Sequence, residues 1–216
     1  MLYKTGKMNI NDPQPSTIRN YYRVQASVYD ATRWSFLFGR NKLLAQLPIE
    51  SFQETTLLEV GCGTGRNLRI LAKRHPNLRL TGVDVSPDML TRAEKATKGY
   101  AGQVQLFEAP YPSESFQLTD PVDIVLFSYS LTMFNPGWED AIKRAWNDLR
   151  PGGHIAVVDF HNTPLAPFRW WLDNNHVRMD GHLLPYLQQH FRTEFLSIQP
   201  AWFGIWSYFM FVGIKI

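Results

Sequence analysis

From residue 57 onward the chain alternates short apolar runs with stretches in which apolar side chains recur at helical spacing. Residues 57–60 predict a strand and 66–74 a helix. Residues 78–85 predict the next strand, followed by Ser86 as an N-cap and Pro87 at the first helical position. The helix after them runs toward Lys98, with Met89, Leu90, Ala93 and Ala96 at helical spacing. Residues 104–107 and 124–128 predict a third and a fourth strand. Between 138 and 149, Ile142, Ala145, Trp146 and Leu149 line one face of a helix. Arg150-Pro151-Gly152-Gly153 reads as a stop, and 154–160 as a fifth strand. This alternation predicts an α/β fold, a mostly parallel sheet with helices on both faces.

Both ends of the chain depart from that rhythm. Residues 1–16, with Asn9, Asn11, Asp12, Pro13 and Pro15, read as a flexible leader. Residues 17–47 read as a helical region rich in aromatics, among them Tyr21, Tyr22, Tyr29, Trp34, Phe36 and Phe38. At the other end, 195–198 and 205–216 predict an antiparallel hairpin that turns near Gln199-Pro200. Trp206, Tyr208, Met210 and Val212 alternate with Phe209 and Phe211, so both faces of the last strand are apolar and it belongs in the sheet interior.

Leu57-Leu58-Glu59-Val60-Gly61-Cys62-Gly63-Thr64-Gly65-Arg66 carries the candidate chemistry. A buried strand ends in a carboxylate, glycines follow at alternate positions, and a helix then offers free N–H groups to an anionic ligand. Arg66 stands where the dinucleotide fingerprint has its third glycine, which argues against a nicotinamide oxidoreductase. The spacing acidic-x-Gly-x-Gly-x-Gly instead resembles motif I of the class I S-adenosylmethionine-dependent methyltransferases. With the reversed C-terminal hairpin, the resemblance covers roughly residues 20–216. It implies a three-layer Rossmann-like fold with a seven-stranded sheet. The domain expected is a single one over 17–216, with a helical cap (17–50) and an insertion (161–191).

The resemblance also implies a cofactor, S-adenosylmethionine, leaving as S-adenosylhomocysteine. Gly61, Gly63 and Gly65 would pass under its methionine portion, with Glu59 facing the amino group. Asp84 would accept from the ribose hydroxyls, as the acid of dinucleotide folds does. Val85 and Met89 would sandwich the adenine, Glu108 and Ala109 would meet its amino edge, and Phe127, Ser128 and Tyr129 would border the sulfonium. The other reading of Asp84 is a helix-capping or turn acid.

Composition narrows the setting. A hydrophobic fraction of 44% with 19% charged residues is that of a globular protein. The single cysteine, Cys62, excludes an internal disulfide framework and a thiolate zinc cluster, and fits a reducing cytoplasm. The N-terminus lacks a signal-peptide pattern, and the apolar stretch 201–213 is shorter than the ~20 residues that span a bilayer. The net charge is +3, and residues 1–50 alone carry +4. That excess suits an anionic membrane surface or substrate, or is an ordinary solvated helix face. No basic–aromatic array suggests nucleic acid.

Residues near the strand tips offer the acceptor chemistry. Candidates are Tyr22, Tyr29, Asp30, Tyr129, Asp159 and His161. His161 is either a general base and acceptor-orienting group or a solvent-facing loop residue. Tyr22 and Tyr29 either stack on the sulfonium or pack within a helix. Tyr21-Tyr22-Arg23 and Tyr29-Asp30-Ala31-Thr32-Arg33-Trp34-Ser35-Phe36-Leu37-Phe38-Gly39-Arg40 resemble the opening of bacterial betaine-lipid methyltransferases, departing at Val24-Gln25. That narrower resemblance implies N-methylation of a diacylglyceryl-homoserine lipid, transient contact with the inner membrane surface, and the enzyme making the homoserine lipid as a partner. Phe168, Arg169, Trp170, Trp171 and Leu172 suit such an interface, or else line a closed pocket. A methyltransferase for a soluble small molecule and a non-catalytic S-adenosylmethionine-binding subunit remain the alternatives.

Overall fold

Thr55–Val60 forms β1, a buried strand with apolar side chains on both faces and a strand on either side. The structure, a computed structural model, describes residues 37–50, 53–134, 136–165 and 179–216, and residues 39–216 form one compact unit. In chain order the further elements are α1 (Arg40–Leu44), α2 (Arg66–Arg74), β2 (Leu78–Asp84) and α3 (Pro87–Thr97). Then come β3 (Val104–Glu108), β4 (Val122–Ser128), α4 (Trp138–Asp148) and β5 (Leu149–Asn162). The last are α5 (Leu183–His190), β6 (Arg192–Ala201) and β7 (Trp206–Ile214). Of the helical region expected over 17–47, residues 37–47 are described and hold α1; of the insertion expected over 161–191, residues 161–165 and 179–191 are described and hold α5.

The seven strands make one sheet in the order β3-β2-β1-β4-β5-β7-β6. The first five are parallel, while β7 runs antiparallel between β5 and β6. Side chains alternate across each strand, so each face collects one set. Leu58, Val60, Val125, Phe127, Val157, Phe209 and Phe211 meet α4 and α5 in one core. On the other face Glu59 meets Asn67 of α2, and a Cβ at Gly82 would lie 2.7 Å from Leu68 Cδ1. This is the three-layer Rossmann-like class I methyltransferase fold. The interior place of β7 explains its burial: Trp206 and Phe209 to Val212 are all 2% exposed or less. Each such side chain stabilises by ~1.5–3 kcal/mol relative to leaving it in water.

Two expectations are corrected. The hairpin does not turn at Gln199-Pro200; those residues lie inside β6, paired with Tyr208 and Ser207. Proline is tolerated there because β6 is the sheet edge, where a missing N–H breaks no ladder. Trp202, Phe203 and Gly204 make the turn instead, all with left-handed φ (47°, 56° and 89°). Nor does the fifth strand wait until residue 154: α4 ends at Asp148, just ahead of Arg150-Pro151-Gly152-Gly153 as expected, but the strand follows at once. β5 begins at Leu149 opposite Val122, and the four residues form an irregularity in which Gly152 N donates to Lys215 O and Lys215 N to Gly153 O.

Candidate active site

The parallel strands deliver their carboxyl ends to one rim, and all the described candidates lie along it. The loop after β1 is where sequence most directly dictates shape. Gly61, Gly63 and Gly65 have φ of 70°, 54° and 69°, a region that side chains adopt at a cost. Space closes two of them further: a Cβ at Gly61 would lie 2.7 Å from Ser130 Cβ, and one at Gly65 2.9 Å from Ala93 Cβ. Gly65 is also the N-cap of α2, so the free N–H groups of its first turn are left without a side-chain cap.

Around the loop, carboxylates are tied in place. Glu59 is 1% exposed, and its Oε1 accepts from Asn67 Nδ2 at 2.7 Å. Asp84 ends β2, where Oδ2 accepts from Gly63 N at 2.8 Å and Oδ1 from Ser86 N at 3.0 Å. The same acid thus shapes both the glycine loop and the start of α3, whose Ser86 hydroxyl caps Met89 N at 3.3 Å. Beside Asp84, Val85 is 63% exposed and Met89 half-buried. Glu108 pairs with Asp84 across the sheet and is exposed, whereas Ala109 is buried and donates its N–H to Asp84 O.

At the tip of β4 the candidates separate. Phe127 is fully buried against Tyr111, with ring centroids 6.2 Å apart, so only its backbone reaches the rim. Ser128 is 6% exposed, and its buried hydroxyl has no hydrogen-bond partner among the described residues. Tyr129 has φ 57° and donates its N–H to Val158 O at 2.7 Å, while its ring stands edge-on to Phe160 at 4.9 Å. A buried hydroxyl left unmatched is costly, and a ligand at the rim would supply its partner. Together with the cradle that a Cβ would fill, this fits S-adenosylmethionine.

The tip of β5 holds two titratable groups. Asp159 is fully buried, which pushes its carboxyl up to about 6 against the pull of its hydrogen bonds. Those bonds come from the Thr132 hydroxyl at 2.6 Å, Thr132 N at 3.2 Å and Phe160 N at 2.8 Å. Asp159 therefore fixes the turn that follows Tyr129 and is not an accessible acid. His161 is half-buried, and burial lowers its pKa. Its ring stands edge-on to Phe209 at 6.0 Å, with the Gly181 backbone alongside, and its buried Nδ1 has no hydrogen-bond partner among the described residues. It is no solvent-facing loop residue.

Tyr22, Tyr29 and Asp30, together with the aromatic segment 168–172, lie outside the described residues. Three supporting residues were not among the sequence candidates: Asn67, Ser130 and Thr132. Asn67 carried a signal, being a polar side chain on the apolar face that Leu68 and Leu71 define. No group of histidine, cysteine and carboxylate able to hold a metal occurs among the described residues, and no described helix is long and apolar enough to cross a membrane.

Residues 58–155 match the family model "Methyltransferase domain". The trans-aconitate 2-methyltransferase of Streptomyces avermitilis is 34% identical over 115 residues, 53% of this chain and 42% of that protein. The malonyl-[acyl-carrier protein] O-methyltransferase of Priestia megaterium is 28% identical over 146 residues, 67% of this chain and 52% of that protein. The chain thus spans about half the length, or less, of these curated relatives. Among solved structures, the N-methyltransferase NodS of Bradyrhizobium japonicum, in complex with S-adenosyl-L-homocysteine, superposes with a TM-score of 0.66 at 21% identity, covering 82% of this chain and 85% of that one. Residues 58–155 therefore match a methyltransferase domain, set in the Rossmann-like fold on which solved methyltransferases are built.

Proposed function

We propose that this chain is an S-adenosylmethionine-dependent methyltransferase. The observation that carries the reading is the cradle after β1. Its three left-handed glycines are walled by Ser130 and Ala93 and pinned by Asp84, beneath a rim with an unmatched Ser128 hydroxyl. The cofactor supplies an electrophilic methyl on a cationic sulfur. Gly61, Gly63 and Gly65 let the backbone approach its methionine part, and Glu59, oriented by Asn67, faces its amino group. Asp84 offers the ribose hydroxyls the lone pairs that the Gly63 and Ser86 amides leave over. Val85 and Met89 cover the adenine, Glu108 and Ala109 meet its edge, and the Phe127 backbone with Ser128 borders the sulfur.

In-line displacement asks the protein chiefly to align an acceptor lone pair and to exclude water. Tyr129 and His161 do this from the tips of β4 and β5. Since burial favours the neutral imidazole, His161 Nδ1 accepts from an acceptor's N–H or O–H at neutral pH.

The acceptor is the amine of a diacylglyceryl-homoserine lipid, methylated to its trimethyl betaine. The resemblance over residues 21–40 supports this, as does a C-terminal hairpin with no charged residue from Phe195 to Ile214. A second reading, a small carboxylic acid, draws on the curated relatives, whose printed names are trans-aconitate 2-methyltransferase and malonyl-[acyl-carrier protein] O-methyltransferase. Mass spectrometry of lipids from cells that make this protein and are supplied with diacylglyceryl-homoserine decides. Headgroup gains of successive methyl masses are expected. No gain, with purified protein still forming S-adenosylhomocysteine on trans-aconitate, would replace the lipid by the acid.

A further inference from the structure

The hairpin tip between β6 and β7 sits at the same rim as the candidate site. β7 runs antiparallel to β5 and starts opposite its end, with Ser207 paired to Asn162, next to His161. The tip is fixed there: Thr163 Oγ1 donates to Ile205 O at 2.7 Å and Ser207 Oγ to Asn162 O at 3.1 Å. Yet it ends in apolar side chains held out in water. Phe203 is fully exposed, Trp202 46% and Ile205 42%. Leu196, Ile198 and Pro200, alternate residues on one face of β6, lead up to it. The nearest charged residues along the chain, Glu194 and Lys215, lie at the far end of the hairpin.

We infer that the Trp202-Phe203-Gly204-Ile205 tip inserts into the interfacial region of a lipid bilayer and sets the active rim against it. Three features choose a bilayer over a protein. The tip is a convex turn, whereas a protein partner needs ~800 Å² of complementary surface on each side. A fully exposed phenylalanine with halves of a tryptophan and an isoleucine offers roughly 400 Å². Twenty consecutive residues without charge bring no ion that must lose its hydration. A tryptophan beside a phenylalanine is the pairing that headgroup depth accommodates, an indole N–H among polar groups and rings among acyl carbons. The use of this contact rests on the lipid-acceptor reading above, since it would bring a membrane-borne amine to His161 and Tyr129; the contact itself does not.

The test is cosedimentation of the full chain with phosphatidylcholine vesicles containing phosphatidylglycerol, at low and high salt. The variant Phe203→Asn removes the ring while keeping a residue that accepts left-handed φ. Ile216→Asn removes another exposed apolar side chain (82%) at the opposite end of the sheet. Wild type should partition onto vesicles and stay there at high salt. Phe203→Asn should bind about tenfold or more weakly, in line with withdrawing one phenylalanine from an apolar phase, and Ile216→Asn should bind as wild type. Equal binding by Phe203→Asn, binding by wild type only at low salt, or no vesicle binding each overturns the inference. A wild-type dimer that Phe203→Asn converts to monomer, without vesicle binding, assigns the tip to a second copy and overturns it too. Methylation of the homoserine lipid in detergent micelles is read separately. Methylation there without vesicle binding overturns the tip alone, and vesicle binding without methylation sustains the tip while removing the acceptor.

Discussion

The Thr132 hydroxyl and the Thr132 amide both donate to the Asp159 carboxylate, at 2.6 Å and 3.2 Å, so a fully buried acid on β5 holds the turn that follows β4. Burial raises this carboxyl to about 6, whereas in an unfolded chain it titrates near ~3.9. Between those values the folded state holds the extra proton. The contribution of this group to stability is therefore fully present below ~pH 4, is lost as pH rises through about 6, and is constant above. Asp159→Asn cannot titrate. The unfolding free energy of wild type relative to the variant should fall by on the order of 3 kcal/mol between acid and neutral pH. Denaturant unfolding of both proteins across that range checks it, and a pH-independent difference would contradict it.

Gly65→Ala should destabilise the fold by roughly 1–3 kcal/mol for a side chain at positive φ, and by more because its Cβ meets Ala93. Thermal melting reads the first effect. Calorimetric titration with S-adenosylmethionine reads the second, a loss of affinity in the protein that remains folded. A melt and an affinity both like wild type would remove the cradle from the cofactor site.

Asp84→Ala removes ligand contacts and the anchor of Gly63 N and Ser86 N together. With ~1.5–3 kcal/mol for each hydrogen bond to a charged group, S-adenosylmethionine affinity should fall at least about tenfold to a hundredfold, the loss of a single such bond. Asp84→Asn keeps one acceptor and should lie between the two. Unchanged affinity in both variants would reduce Asp84 to a loop brace.

His161→Ala should lower kcat by about a hundredfold or more if its imidazole takes the acceptor's proton, with the melting temperature little changed. Burial lowers the histidine pKa, so the deprotonated form persists to more acidic pH than in a free histidine. The acid limb of the kcat profile should therefore fall below ~6.5 and disappear in His161→Ala. A variant with unaltered kcat and a changed KM would make His161 a binding residue.

The strand and helix alternation was readable because the inner strands each carry a short apolar run and the helices between them keep one apolar face. The span 66–74, expected as a helix, is α2 to the residue. Turn position was less legible. Pro200 signals a turn by composition, but an edge strand absorbs it, while Trp202 and Phe203 give no local sign of left-handed backbone. The glycine loop announced itself, since only glycine meets both its dihedrals and its contacts. The pairs behind it did not: Asn67 to Glu59 and Thr132 to Asp159 join residues 8 and 27 positions apart, and only the packed sheet brings them together.

The antiparallel insertion of β7 imposes an order on assembly. Until residues 206–214 have been synthesised, the backbone edge of β5 beyond β4 has no partner, and β6 has no strand through which to join the sheet. The N-terminal half of the sheet can pair as it leaves the ribosome, but its most apolar strand arrives last and must slide between two others. A nascent chain halted before Trp206 would thus display an open, sticky strand edge, the kind of species that chaperones hold and proteases clear.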